Sequence, residues 1–330
     1  MDPIQKSILS LITKVNGKRK ILNKGNKNIY SISHYLEIQK SYKPIIKNIQ
    51  IIFVFFIIIK IINPQIRKIQ SYSALPEITL KINGIGIQKI LGSSGRCPNY
   101  IYLNDDVSNN LLNPTDCNMI DIPSEGETTI NTVKLIWNTK LNNVDRLFEG
   151  CGTIIEADLS KYDSSGVVNM EHMFHQCISI EHINFENFDT SNVITMECLF
   201  YECFNLKELD LSSFDTSNVV QMRLLFHFCK SLTSVNVASF DTSKVTDMDH
   251  LFFGCHSLKN LSLSNFNTSK VEKMNRMFSE CKSLSSLDLS MFDTSSLNDI
   301  EHMFSEAESL TSLNLYNFDT SIVTNMKSVF

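Results

Sequence analysis

The sequence predicts an α/β solenoid, with one parallel strand and one short helix in each 26-residue coil, preceded by a small β-rich N-terminal cap. Three observations carry that expectation. Phe148, Phe174, Phe200, Phe226, Phe252, Phe278, Phe304 and Phe330 recur every 26 residues, and periods of 20 to 50 residues mark stacked supersecondary units. A second column follows three residues later: Cys151, Cys177, Cys203, Cys229, Cys255 and Cys281, then Ala307. Ahead of the repeats, Ile78, Leu80 and Ile82 alternate with polar residues, the period of a half-buried strand.

Within a coil, residues 206–229 read LKELDLSSFDTSNVVQMRLLFHFC. The opening L-x-x-L-x-L (Leu206, Leu209, Leu211) is echoed by Leu258, Leu261 and Leu263, and by Leu284, Leu287 and Leu289. That is the strand signature of a leucine-rich repeat, and 26 lies within the length range of that class. Phe188, Phe214, Phe240, Phe266, Phe292 and Phe318, with Tyr162 in the first unit, then form a column of rings expected to staple the turn. Val219, Met222, Leu225, Phe226 and Cys229 follow mostly at steps of three and four, the inward face of a short helix. The Asp-Thr-Ser triplets at 189, 215, 241, 293 and 319 precede that segment, where they supply acceptors for the orphan amides of a helix start.

The chain divides into a basic tail (1–44), a signal peptide or signal anchor (45–74), the cap (76–140) and the repeats (141–330). Residues 1–70 carry 13 Lys/Arg against Asp2 and Glu37, while 71–330 carry 17 against 33 acids, so the tail is near +11 and the body near −16. A body that acidic argues against nucleic acid as a partner, because phosphate neutralisation needs a basic face. The run IIFVFFIII at 51–59 is about half the ~20 residues of a membrane-crossing helix and matches a signal-peptide core. Its basic flank places the N-terminus in the cytosol and the body outside. In the cap, Asn83-Gly84 between apolar runs signals a hairpin, and 100–103 and 130–137 read as two further strands. Cys97 and Cys117 are the only cysteines there; in an oxidising compartment a disulfide is expected, and two free thiols are the alternative. The last coil stops without a polar end, from which a continuing natural chain is expected, with membrane attachment through 45–74 or through a missing C-terminal segment.

No column requires a cofactor or metal. The Asp column would offer carboxylates to Ca²⁺, but Asn267 occupies it without disturbing the pattern. The cysteine column accepts Ala307, so it reads as a small buried apolar slot filled by free thiols. His172, His175 and Cys177 superficially suit zinc, yet Cys177 belongs to that buried column and the His172 position varies freely among units. No Gly-rich phosphate loop, G-x-S-x-G or H-E-x-x-H is present, which argues against an enzyme. Residues between the ladder leucines should form the concave face: Glu208, Asp210, Asn236, Asn260, Asp288, Asn314 and Tyr316 are the candidate binding residues. With few aromatic or Arg anchors, that face suits weak multivalent contact with a glycan or a surface protein. Asn260 and Asn267 head N-x-[ST] sequons, usable in a secretory pathway.

The units DLSSFDTSNVVQMRLLFHFCKSL and NVASFDTSKVTDMDHLFFGCHSL resemble the BspA-type leucine-rich repeats of surface proteins in bacteria and single-celled eukaryotes, over residues 141–330. The resemblance implies a non-catalytic, membrane-associated or secreted cell-surface protein engaged in adhesion, and it carries over no binding residue. The alternative is an intracellular leucine-rich repeat scaffold or regulatory protein.

Overall fold

The computed structural model describes residues 75–108, 110–111, 116–123 and 129–330. The basic tail (1–44) and the expected signal segment (45–74) lie outside the described residues. Among those described there are eleven strands and no helix. No helix among them is long and apolar enough to cross a membrane.

The cap strands are β1 (Glu77–Asn83), β2 (Gly86–Lys89), β3 (Tyr100–Leu103), β4 (Met119–Ile122) and β5 (Ile130–Ile136). Ile78, Leu80 and Ile82 of β1 are fully buried, facing Leu135 and Val133 of β5. The Asn83-Gly84 hairpin does not form: β1 pairs with β5 and β6, whereas β2 pairs with β4. Gly84 and Gly86 have φ of 149° and 70°, and the chain uses that freedom to change sheets rather than to reverse beside itself. Cys97 and Cys117 are joined by a disulfide, with Cα atoms 5.6 Å apart.

The repeats contribute β6 (Ile154–Asp158), β7 (His182–Asn184), β8 (Glu208–Asp210), β9 (Ser234–Asn236), β10 (Ser286–Asp288) and β11 (Ser312–Asn314). One sheet runs β3-β5-β1-β6-β7, antiparallel through β1/β6 and parallel from β6 to β7. The cap therefore enters the repeats by backbone pairing. Beyond it β8/β9 and β10/β11 pair in parallel, each residue opposite the one 26 later. A second line of parallel bridges links Asn143, Asn169, Thr195 and Gln221, then Asp247, Lys273, Asp299 and Asn325.

The expected α/β solenoid, with a helix in every coil, is not what forms. Between Met222 and Cys229 the amides divide into two sets. Leu224, Phe226 and Phe228 donate to Asp249, Leu251 and Phe253 of the next unit at 3.0, 3.0 and 2.7 Å, while His227 and Cys229 donate three residues back within the unit. Leu224 and Phe228 have φ of 59° and 55°, which a right-handed helix excludes. The same two columns are left-handed in other units, at His172 and Gln176, Cys198 and Glu202, and His302 and Glu306. A helix would satisfy its amides internally and leave this side of the stack to side chains alone. The observed turns give every second amide to the neighbouring unit and still bring Met222, Leu225, Phe226 and Cys229 inside, at 0–1% exposure. The Asp-Thr-Ser triplet accordingly caps no helix. Asp215 Oδ1 accepts the Ser217 amide at 3.0 Å, and the buried Thr216 hydroxyl donates to the Asp241 carbonyl and accepts the Asp241 amide.

Two internal columns fill the core. Rings of Phe148 through Phe304 stack in sequence, and the exposed Phe330 ring continues the column, with centroids 5.2 to 6.1 Å apart, in the range favoured for offset aromatic pairs. The seven free cysteines are buried. Those of the column have a directional role: the Cys177, Cys203, Cys229, Cys255 and Cys281 thiols each donate to the carbonyl of the column phenylalanine 29 residues earlier, at 3.1–3.2 Å. Burial pushes the Cys229 thiol far above its ordinary range, so these groups are protonated donors and not nucleophiles.

Candidate functional site

Two surfaces bring chemistry-bearing side chains together. On the strand side, Glu208, Asp210, Asn236, Asn260, Asp288 and Asn314 are all exposed, and Tyr316 is 87% exposed. One column of this row is occupied mainly by Asp and Asn. The Asn184 amide donates to Asp158 Oδ1 at 3.0 Å, and the Asn236 amide donates to Asp210 Oδ1 at 3.2 Å. Each member also closes its own turn: Ser212 N donates to Asp210, Ala238 N to Asn236, Ser290 N to Asp288 and Tyr316 N to Asn314. The Ser212 amide holds the Asp210 carboxyl below the usual range, and Ser290 does the same for Asp288. The Asp210 and Asp288 carboxylates are thus ionised at neutral pH, and the row is fixed by Asx turns. It is interrupted at Ser262, in the unit of Asn260, which has no assigned strand. Asn267 lies elsewhere, with its Oδ1 accepting from both the amide and the hydroxyl of Ser269.

On the turn side, four rings meet from one unit to the next, the first pair edge-on and the following two pairs stacked. His175, Tyr201, His227 and Phe253 have successive centroid distances of 4.5, 4.3 and 4.9 Å. His227 is only 7% exposed, and its Nδ1, like that of His250, meets no protein partner. Burial holds the His227 ring down to about 3 and the His250 ring down to about 4, with the nearby His250 adding to the first shift and Arg276 to the second. At the start of this column His172 Nδ1 lies 2.8 Å from His175 Nδ1, and His175 Nδ1 lies 3.8 Å from Glu149 Oε1. These three side chains offer ligand atoms within 4.8 Å of one another. Among the described residues no other grouping of three His, Cys, Asp or Glu has metal-ligand spacing.

The repeats decide the family. Residues 124–235 and 225–330 match, in tandem, a family described as Mycoplasma protein of unknown function, DUF285. The chain belongs to that family. No curated protein and no solved structure matches it. The DUF285 assignment replaces the resemblance to BspA-type leucine-rich repeats, because the repeat region is matched by this family and lacks the helix that each coil was expected to carry. With that correction the leucine-rich repeat and solenoid descriptions fall. Membrane attachment, too, finds no support among the described residues.

The DUF285 repeats also explain why the histidine cluster escapes a linear reading. Local inspection of 171–177 meets His172, His175 and Cys177, but the Cys177 thiol points into the core and donates to Phe148 O. The third partner, Glu149, is absent from that window. It occupies the column of His175, 26 residues earlier, and stacking places it alongside. The usable signal is therefore column membership, not proximity along the chain.

Proposed function

We infer that this chain is a non-catalytic cell-surface or secreted interaction protein, which holds a polar partner, a glycan or another surface protein, against its exposed strand face. The observation that carries the reading is the row of Asp and Asn side chains repeated at 26-residue intervals and held by turn and cross-unit hydrogen bonds. A surface whose polar groups are already ordered loses little side-chain entropy on binding. Many equal, weak contacts along a stack add through effective concentration. The Cys97–Cys117 bond supports an oxidising compartment, and Asn260 is exposed for glycosylation.

Asp210, Asn236 and Asp288 each hold a turn, so their substitution mixes binding with folding. Ser234 and Ser286 are exposed on the same strands and give the cleaner test. Ser234→Arg with Ser286→Arg should weaken binding of the full chain to a glycan or cell-surface array while leaving its thermal unfolding unchanged. Undiminished binding would remove the strand face as the site. On intact expressing cells, protease should digest the repeats from outside. Complete protection, with no mass shift on deglycosylation, would instead establish an intracellular scaffold.

A further inference from the structure

We propose that Glu149 Oε1, His172 Nδ1 and His175 Nδ1 form a binding site for a divalent transition-metal ion, with Zn²⁺ as the fitting species. Two imidazoles and one carboxylate make a donor set suited to zinc, whereas Ca²⁺ and Mg²⁺ want oxygen ligands alone. Zinc bonds of about 2.0–2.2 Å in a tetrahedron put neighbouring ligand atoms roughly 3.3 Å apart. The two separations here, 2.8 Å between the ring nitrogens and 3.8 Å from His175 to Glu149, lie on either side of that value. All three ligand atoms lie within 4.8 Å of one another, so the set would close by side-chain adjustment on binding.

The surrounding groups orient all three ligands. Glu171 Oε1 lies 3.3 Å from His172 Nε2, close enough to favour a proton on Nε2 and so leave the Nδ1 lone pair to coordinate. This is the carboxylate–histidine–metal arrangement that fixes tautomer and ring orientation in metal sites. Ser93 Oγ donates to Glu149 Oε2 at 2.7 Å, occupying the far oxygen and turning Oε1 toward the rings. Lys89 Nζ holds the Glu149 carbonyl at 2.7 Å. The rings of His172 and His175 are already packed, with centroids 4.8 Å apart and planes 25° from parallel. Arg146 lies 3.7 Å from Glu149 Oε1, 3.6 Å from Glu171 Oε1 and 3.2 Å from Asp145 Oδ2, so one guanidinium is shared among three carboxylates. Side-chain exposures of 18%, 19% and 26% for His172, His175 and Glu149 leave a fourth position open to water. Without metal, His175 Nδ1–H donates to His172 Nδ1; on binding, that proton moves by way of solvent to His175 Nε2, so the ring stays neutral and its Nδ1 lone pair turns to the ion.

The ligands come from two successive units, and Ser93 and Lys89 come from the cap. An ion at this point would therefore tie the cap to the first two repeats, whether or not the strand face binds a partner.

The test is calorimetric titration of chelator-treated, disulfide-intact full chain with Zn²⁺ alone, and with Ca²⁺ as comparison. The wild type should take up one more equivalent of Zn²⁺ than Glu149→Gln or His175→Gln; Ca²⁺ should give no saturable heat at this site. His172→Asn keeps a residue tolerant of the left-handed backbone and should lose the same equivalent. Glu171→Gln should retain the stoichiometry with ~10–100-fold weaker affinity. Thermal unfolding without metal checks that each variant is folded, and ¹⁵N NMR of the histidine rings should place Zn²⁺ on Nδ1 of both. Equal Zn²⁺ stoichiometry and affinity in wild type, Glu149→Gln and His175→Gln would overturn the assignment, leaving a hydrogen-bonded imidazole pair. So would Nε2 coordination.

Discussion

Replacing Gly254 by Ala separates the observed turns from the helix that apolar spacing suggests. Gly254 sits in the column of Gln176, Glu202, Phe228, Glu280 and Glu306, and has φ of 70°. Were this segment helical, Gly→Ala would stabilise it by about 0.8–1.0 kcal/mol. In the left-handed conformation an L residue costs about 1–2 kcal/mol, so the expected effect has the opposite sign. A Cβ on Gly254 would also run into the Phe228 ring one unit earlier, and that ring is packed against Phe253 at 4.9 Å. Gly150→Ala isolates the backbone contribution, because a Cβ there meets only the flexible end of Lys89. For a body of this size 1 kcal/mol corresponds to roughly 2–4 °C in Tm. Gly150→Ala should therefore lower Tm by about 2–8 °C, and Gly254→Ala by more. The assay is calorimetric or circular-dichroism melting of the full chain. A rise in Tm for either variant would refute the turn assignment.

Two further outcomes follow from the core and the turn side. Phe226 is fully buried between Phe200 and Phe252, at 5.7 and 5.2 Å, so Phe226→Ala should cost about 3–5 kcal/mol in urea unfolding; a loss under about 1 kcal/mol would place this column outside the core. His227 and His250 are kept neutral in the fold, near 3 and 4, whereas the unfolded chain protonates them near 6.5. Stability is therefore full above pH 6.5 and declines as pH falls toward 4, by at most ~1.4 kcal/mol per pH unit for each ring and less for the more open His250. His227→Phe, matching Phe253 in the same column, should flatten the Tm–pH slope between 6.5 and 4; an unchanged slope would mean that His227 does not report burial.

Apolar periodicity specifies which residues turn inward, not the backbone path by which they do so. Val219, Met222, Leu225, Phe226 and Cys229 are all buried, so the inside of the unit is legible in the sequence. The helix is not, because a run of turns with a left-handed residue every fourth position returns side chains inward at nearly the same steps. Nothing in the residue types flags those left-handed positions: Leu224, Cys198 and Phe228 are poor choices for positive φ, and only Gly150 and Gly254 mark their column. The preference is imposed from outside, by the carbonyls of the next unit that Leu224 and Phe228 reach. The failed hairpin has the same origin, since β1 is drawn away from β2 by β5 and β6, which pair along both its edges.

The stacking that hides the backbone path from local sequence makes side-chain adjacency legible by another rule. Residues 26 apart are neighbours across units, as the links Gln176 to Glu202, Lys207 to Glu181 and Lys282 to Glu308 show. Function at the surface is then written in columns. A polar strand column yields a long, repetitive face, in which one substitution removes one contact of many and changes affinity gradually. The Glu149, His172 and His175 cluster is the opposite case: it exists once, where a carboxylate in the first unit meets a histidine in the second. Its successors in the same column are Tyr201, His227, Phe253, Ser279 and Ser305, none of which can repeat that donor set. Repetition therefore supplies the extended interaction face, and departure from repetition supplies the singular site, so column outliers are where mutagenesis of this chain should begin.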